Sequence, residues 1–130
     1  GAKRIIHRAD AHAMPDAEVI IDGLDSRSYG DRFHIIPVPG HTAGSLCLLY
    51  WNRFLFTGDH LWWEPETNEL ASPRQLVWDP DALRQSIARL ASYPFEWVLA
   101  GHGGRIHMPQ AHMQAALRDL VNRRKGDRQP

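Results

Sequence analysis

Two nearly continuous apolar runs stand side by side in the middle of the chain, "SLCLLYW" (45–51) and "RFLFTG" (53–58), meeting at Trp51-Asn52. Runs of this length bounded by turn residues read as strands, and the short link between them reads as a tight hairpin. Apolar and polar residues do not alternate along either run, which is the pattern of strands covered on both faces. A chain of 130 residues is long enough for one domain with a modest core. It therefore has to cover such a strand pair from both sides with limited material.

The flanking segments supply further strands and two helices. "RIIH" is a short apolar run, "RADAHAMP" holds at most one helical turn before Pro15, and "AEVII" reads as a second strand ending at Asp22-Gly23. "DSRSYGD" is a polar turn region and "RFHIIPV" a third strand. "LWWEPETNELASPRQLVW" is a long irregular connection of the kind that borders a site. In "DPDALRQSIARLASYP", Asp79 is placed to cap a helix over about 80–92, with Pro80 as its first residue. Leu83, Ile87 and Leu90 form its apolar stripe and Pro94 its stop. "EWVLA" is a short strand. A last helix over about 109–124 puts Met113, Leu117, Leu120 and Val121 on one face and ends in "NRRKG". Residues 125–130 are expected to be a disordered tail.

Composition excludes several classes. Lys plus Arg and Asp plus Glu are 15 each, the net charge is zero and the pI is about 7.3, so neither nucleic acid nor an anionic membrane is indicated as a partner. No apolar span approaches the roughly 18 residues of a membrane helix, and no signal-peptide-like region opens the chain. The lone Cys47 sits in an apolar run, where a buried, inert thiol is the expectation, and a reducing cytoplasm suits it. The chain begins "GAKR" without methionine, as a tag scar, a processing product or a piece of a longer protein would.

Three ligand-type side chains share one context. His41 follows a strand in "VPGHTAGS", Asp59 follows a strand in "TGDH", and His102 follows a strand in "AGHGG". Each stands at a strand end beside glycine. If those ends lie together in one sheet, two imidazoles and a carboxylate meet at one rim, a donor set suited to Zn(II) and also to Fe(II) or Mn(II). His60 is a candidate supporting residue behind Asp59. His34, His107 and His112 read as structural or exposed. Trp62 and Trp63 suit either a pocket wall or core packing.

The ordered succession "PVPGHTAGS", "LFTGDHLWW" and "VLAGHGG" resembles the third, fourth and fifth metal-binding motifs of the metallo-β-lactamase-fold hydrolases, closest in wording to the glyoxalase-II-like and general hydrolase members. The resemblance runs from about residue 4 to 124 and covers only the C-terminal half of that fold. It implies that His41 is a ligand of a first metal, that Asp59 bridges two metals and that His102 is a ligand of the second. The family's His-x-His-x-Asp-His motif is absent. "HRADAH" has the wrong spacing, so His7, Asp10 and His12 are read as solvated loop residues.

The implied architecture is half of an αββα sandwich. Residues 4–60 and 96–100 are expected to form one mixed sheet, with both helices on the same face. The implied chemistry is hydrolysis of an ester, thioester or amide of a small-molecule substrate by metal-activated water, with the isolated chain a poor catalyst. The alternative is a metal-free remnant serving as a binding or structural dimerisation module. Either way the sheet face without helices needs cover, from an N-terminal half or from a second copy packed about a two-fold axis.

Overall fold

A computed structural model describes residues 2 to 126. Within them, ten strands, one 3-10 helix and two α-helices follow one another as β1 (Ile5–His7), the 3-10 helix (Arg8–Ala13), β2 (Val19–Ile21), β3 (Arg27–Tyr29), β4 (Phe33–Pro37), β5 (Leu46–Tyr50), β6 (Phe54–Gly58), β7 (Trp62–Glu64), β8 (Glu69–Ala71), α1 (Pro80–Leu90), β9 (Trp97–Ala100), β10 (Ile106–His107) and α2 (Gln110–Arg123). The main sheet is mixed and six-stranded, in the order β10-β9-β6-β5-β4-β3, with β6 and β9 parallel and the other pairs antiparallel.

The central hairpin forms where its sequence places it. Trp51 and Asn52 take positive φ, 57° and 50°, and the Arg53 N–H closes the turn on the Tyr50 carbonyl at 3.1 Å. This left-handed backbone matches the twist of the strands it joins. The Arg32 guanidinium lies over the Trp51 ring, 3.9 Å from its centroid.

Both helices cover one face of this sheet. Leu83, Ile87 and Leu90 of α1 and Met113, Leu117 and Leu120 of α2 join Ile36, Cys47, Leu49, Leu55 and Val98 of the sheet in one buried cluster. Asp79 caps α1 as its sequence implies, its Oδ1 accepting from the Asp81 and Ala82 N–H groups at 3.0 and 3.2 Å. Cys47 is fully buried, which pushes its thiol pKa up and leaves it inert.

The opposite face carries Phe33, Tyr50, Phe54, Phe56 and Trp97. Phe33 packs on Tyr50 (centroids 4.7 Å apart), and Trp97 on Phe54 (6.3 Å) and His107 (4.9 Å). Phe56 is 43% exposed and Phe33 37%. Burial thus alternates along β5 and β6, although their sequences do not.

Three expectations need correction. The first strands do not join the main sheet: β1 and β2 pair in parallel with each other, Ile5 opposite Val19. The polar "DSRSYGD" supplies β3, which folds back on β4 through Gly30 and forms that edge of the main sheet. All three β3 residues are exposed, so no apolar alternation marks it. Finally, the Trp-rich connection holds a second hairpin, β7 with β8, tied to the loop after β9 by paired backbone bonds between Trp63 and Gly104 (2.9 and 3.0 Å). Of the tail expected at 125–130, residues 127–130 lie outside the described part.

Candidate functional site

The parallel neighbours β6 and β9 end at the same rim. Their pairing skips Thr57, so that Gly58 rather than Thr57 stands opposite Ala100. A bulge of this kind re-aims the residue that follows it. Gly58 takes φ 53°, its carbonyl accepts from the Gly101 N–H at 2.8 Å, and Asp59 and His102 emerge side by side. His102 Nδ1 lies 2.6 Å from Asp59 Oδ1, with the His102 side chain 88% exposed and that of Asp59 48%. The hydrogen bond and the negative charge of Asp59 raise the His102 pKa above its ordinary value.

His41 arrives from another direction. Its loop, 38–45, leaves β4 and is closed by Val38 N–H on the Ser45 carbonyl (2.8 Å) and Gly40 N–H on the Thr42 carbonyl (2.9 Å). It is stitched to the start of α1: the Asp79 N–H donates to the Gly40 carbonyl at 3.1 Å, and the Ser86 hydroxyl to the Pro39 carbonyl at 2.7 Å. Gly40 is required because a Cβ there would stand 2.4 Å from the Cα of Leu83. The Nδ1 of His41 is buried without a hydrogen-bond partner in the protein.

His41, Asp59 and His102 line one open cleft of about 680 Å³, whose other walls include Trp62, Glu64 and residues 71–75. Trp62 is thus a wall residue, packed so close to Gly103 that a Cβ there would meet its ring at 2.7 Å, while Trp63 packs against the core. His60 does not reach the cleft. It turns inward, is 1% exposed, and neither ring nitrogen has a protein partner. Burial first, then the neighbouring His41 and Arg89, push its pKa down to about 3, so it is neutral. His34 is half-buried in β4 with its Nδ1 3.4 Å from the Ser28 hydroxyl, and His107 pairs with Glu96 at 3.3 Å. His112 is exposed on α2.

The segment read as solvated loop is not wholly so. His7 Nε2 lies 2.8 Å from the Gly23 carbonyl and its Nδ1 accepts from the Ala9 N–H at 3.0 Å. Asp10 binds the His41 loop, taking the Thr42 hydroxyl at 2.5 Å and the Gly44 N–H at 3.1 Å. These partners stand 32 and 34 residues away, and no local spacing marks them.

Imidazole and carboxylate are the right donors for a Zn(II)-type ion, but in this chain they do not by themselves fit one. Asp59 and His102 are bonded to each other. Among the described residues no group of three or more His, Cys, Asp or Glu side chains is arranged to hold a metal. Among the same residues no helix is long and apolar enough to cross a membrane.

No family model matches the chain. It is 35% identical over 88 residues to hydroxyacylglutathione hydrolases of Yersinia pestis and Yersinia pseudotuberculosis, a match covering 67% of this chain and 32% of theirs. The chain thus spans about a third of the length of these curated relatives. Among solved structures, a metallo-β-lactamase family protein of Thermus thermophilus superposes with a TM-score of 0.63 at 15% identity, over 96% of this chain and 53% of that one. The DIM-1 metallo-β-lactamase superposes with a TM-score of 0.58, also at 15% identity, over 92% and 56%. In fold, then, the chain is similar to these metallo-β-lactamase proteins, and it spans about half the length of the two solved structures.

Proposed function

We propose that the chain forms one wall of a metal-dependent hydrolase site that acts on an ester, thioester or amide of a small molecule by metal-activated water. Zn(II) is the expected ion, with Fe or Mn as the alternatives. The observation that carries this reading is the convergence of His41, Asp59 and His102, delivered from three different strand ends, on one cleft. The likeness to hydroxyacylglutathione hydrolases makes a thioester the first substrate class to test. The remaining ligands have to come from another polypeptide segment, seated against the sheet face that carries Phe33 and Phe56. That segment is either an N-terminal half or a second copy of the chain.

Calorimetric titration of the purified chain with Zn(II) is the test. The expected result is binding weaker than in a complete site and lost in His41→Ala and His102→Ala. Binding unchanged by those substitutions would overturn the assignment. A second reading, a metal-free module kept for binding or dimerisation, is favoured by the direct Asp59–His102 bond. Absence of any Zn(II) heat would select it.

A further inference from the structure

Asp10 sits in the short 3-10 helix after β1, an element with no buried residue of its own. Its carboxylate nevertheless reaches the loop that carries His41. Oδ2 accepts the Thr42 hydroxyl at 2.5 Å and Oδ1 the Gly44 N–H at 3.1 Å. The same hydroxyl lies 2.9 Å from the Ser45 hydroxyl, which in turn accepts the Thr42 N–H at 3.0 Å. Gly44 approaches so closely that a Cβ there would fall 2.6 Å from the Asp10 Cγ.

We infer that Asp10 is a positioning residue, a clamp that fixes the loop bearing His41 and thereby sets the direction of its imidazole. Two charge-assisted bonds converge within three residues of His41, from a part of the chain outside the main sheet. The other supports of the loop come from α1 and the segment entering it: the Trp78 N–H donates to the His41 carbonyl at 3.2 Å, the Asp79 N–H to the Gly40 carbonyl and the Ser86 hydroxyl to the Pro39 carbonyl. Held by α1 alone, the 42–45 turn keeps its backbone bonds but loses the acceptor that orders Thr42 and Gly44. The Gly44 N–H can only donate, while the Thr42 hydroxyl can donate or accept, so an amide at position 10 could still meet both groups and alanine is the substitution that removes the clamp. The Thr42 hydroxyl is the shared element, acting toward Asp10 and toward Ser45 at once.

This inference rests on the reading of His41 as a site residue, so its test is made on the metal-free chain and stays separate from Zn(II) binding. Side-chain couplings of His41 and the amide resonances of Thr42 and Gly44 are measured by NMR in the unsubstituted chain and in Asp10→Ala, Thr42→Val and Thr42→Ser. Thermal melting of each protein runs alongside. The expected result is one dominant His41 rotamer in the unsubstituted chain and in Thr42→Ser, which keeps the hydroxyl, and rotamer averaging in Asp10→Ala and Thr42→Val while the fold persists. A single unchanged His41 rotamer in Asp10→Ala and Thr42→Val would overturn it. Should Asp10→Ala fail to fold, Thr42→Val alone decides, since it removes one of the two bonds and keeps the carboxylate.

Discussion

Asp59 Oδ1 and His102 Nδ1 meet at 2.6 Å across the ends of two parallel strands, and the contact exists because a bulge at Thr57 shifts the register by one residue just before Asp59. Gly58 is the residue that bends, with φ 53° and nothing within 4 Å of the position a Cβ would take. Gly40, on the other flank of the cleft, is the reverse case, its hypothetical Cβ driven into the backbone of α1 at Leu83.

These two glycines should therefore fail in different ways. Gly58→Ala is predicted to cost about 1–2 kcal/mol through left-handed strain alone, leaving the core intact. Gly40→Ala is predicted to cost more, about 3 kcal/mol, because α1 has to move before the side chain fits. Denaturant unfolding of both variants checks the order. Equal losses would mean that the helix yields freely at Leu83.

A pH dependence follows from the N-terminal strand pair. Glu18 accepts from the Arg4 Nε at 3.0 Å, from Arg4 Nη2 at 2.9 Å and from the Arg4 N–H at 3.0 Å, which lowers its pKa from 4.5 to about 2. The folded-state value lies below the unfolded one, so the stabilisation is complete above about 4.5 and disappears as pH falls through about 2. The Glu18 carboxyl carbon is predicted to titrate by NMR with a midpoint near 2. In Arg4→Ala the midpoint should return toward 4.5. An unchanged midpoint in that variant would remove Arg4 as the cause.

How far the sequence discloses this molecule depends on how local each determinant is. The α1 cap is readable because Asp79 and Pro80 adjoin the groups they serve, and the β5–β6 hairpin because its turn and apolar runs are contiguous. The motif residues His41, Asp59 and His102 are readable as a set through their shared strand-end context. What stays hidden is held by distant partners. The grip of Asp10 on Thr42 needs the fold, β7 and β8 depend on the Trp63–Gly104 backbone pair, and β3 is an exposed edge with no apolar signature. His60 turns inward beside a Thr57 hydroxyl that donates to the Leu61 carbonyl at 2.6 Å, and no pattern of residue types announces that burial.

Neighbouring leucines of β5 test which face of the sheet is packed. Leu49 is buried beneath the helices, whereas Leu48 belongs to the open face and is half-buried. Leu49→Ala is predicted to cost about 2–5 kcal/mol through lost burial and a cavity. Leu48→Ala should cost less than half as much in dilute solution. Equal costs measured by urea unfolding at low protein concentration would show that the open face is already covered within the monomer.

The open face itself sets the last prediction. Phe33, Tyr50, Phe54 and Trp97 form a stepped aromatic row across β4, β5, β6 and β9, and Phe56 stands beside it at 43% exposure. Each large apolar side chain left in water forgoes about 1.5–3 kcal/mol of burial. Contiguous apolar surface of this kind on a sheet is normally met by another layer about 10 Å away. In a preparation of the chain alone, the layer at hand is a second copy, packed face to face about a two-fold axis. Sedimentation equilibrium at micromolar concentration is therefore predicted to give a dimer, and Phe56→Glu a monomer with an unchanged circular dichroism spectrum. Glutamate on the axis-facing surface places two like charges in an apolar layer, which the dimer cannot accommodate without desolvating both. A monomer in both proteins would show that the aromatic row is stable in water, and that the sheet needs no partner to stay folded.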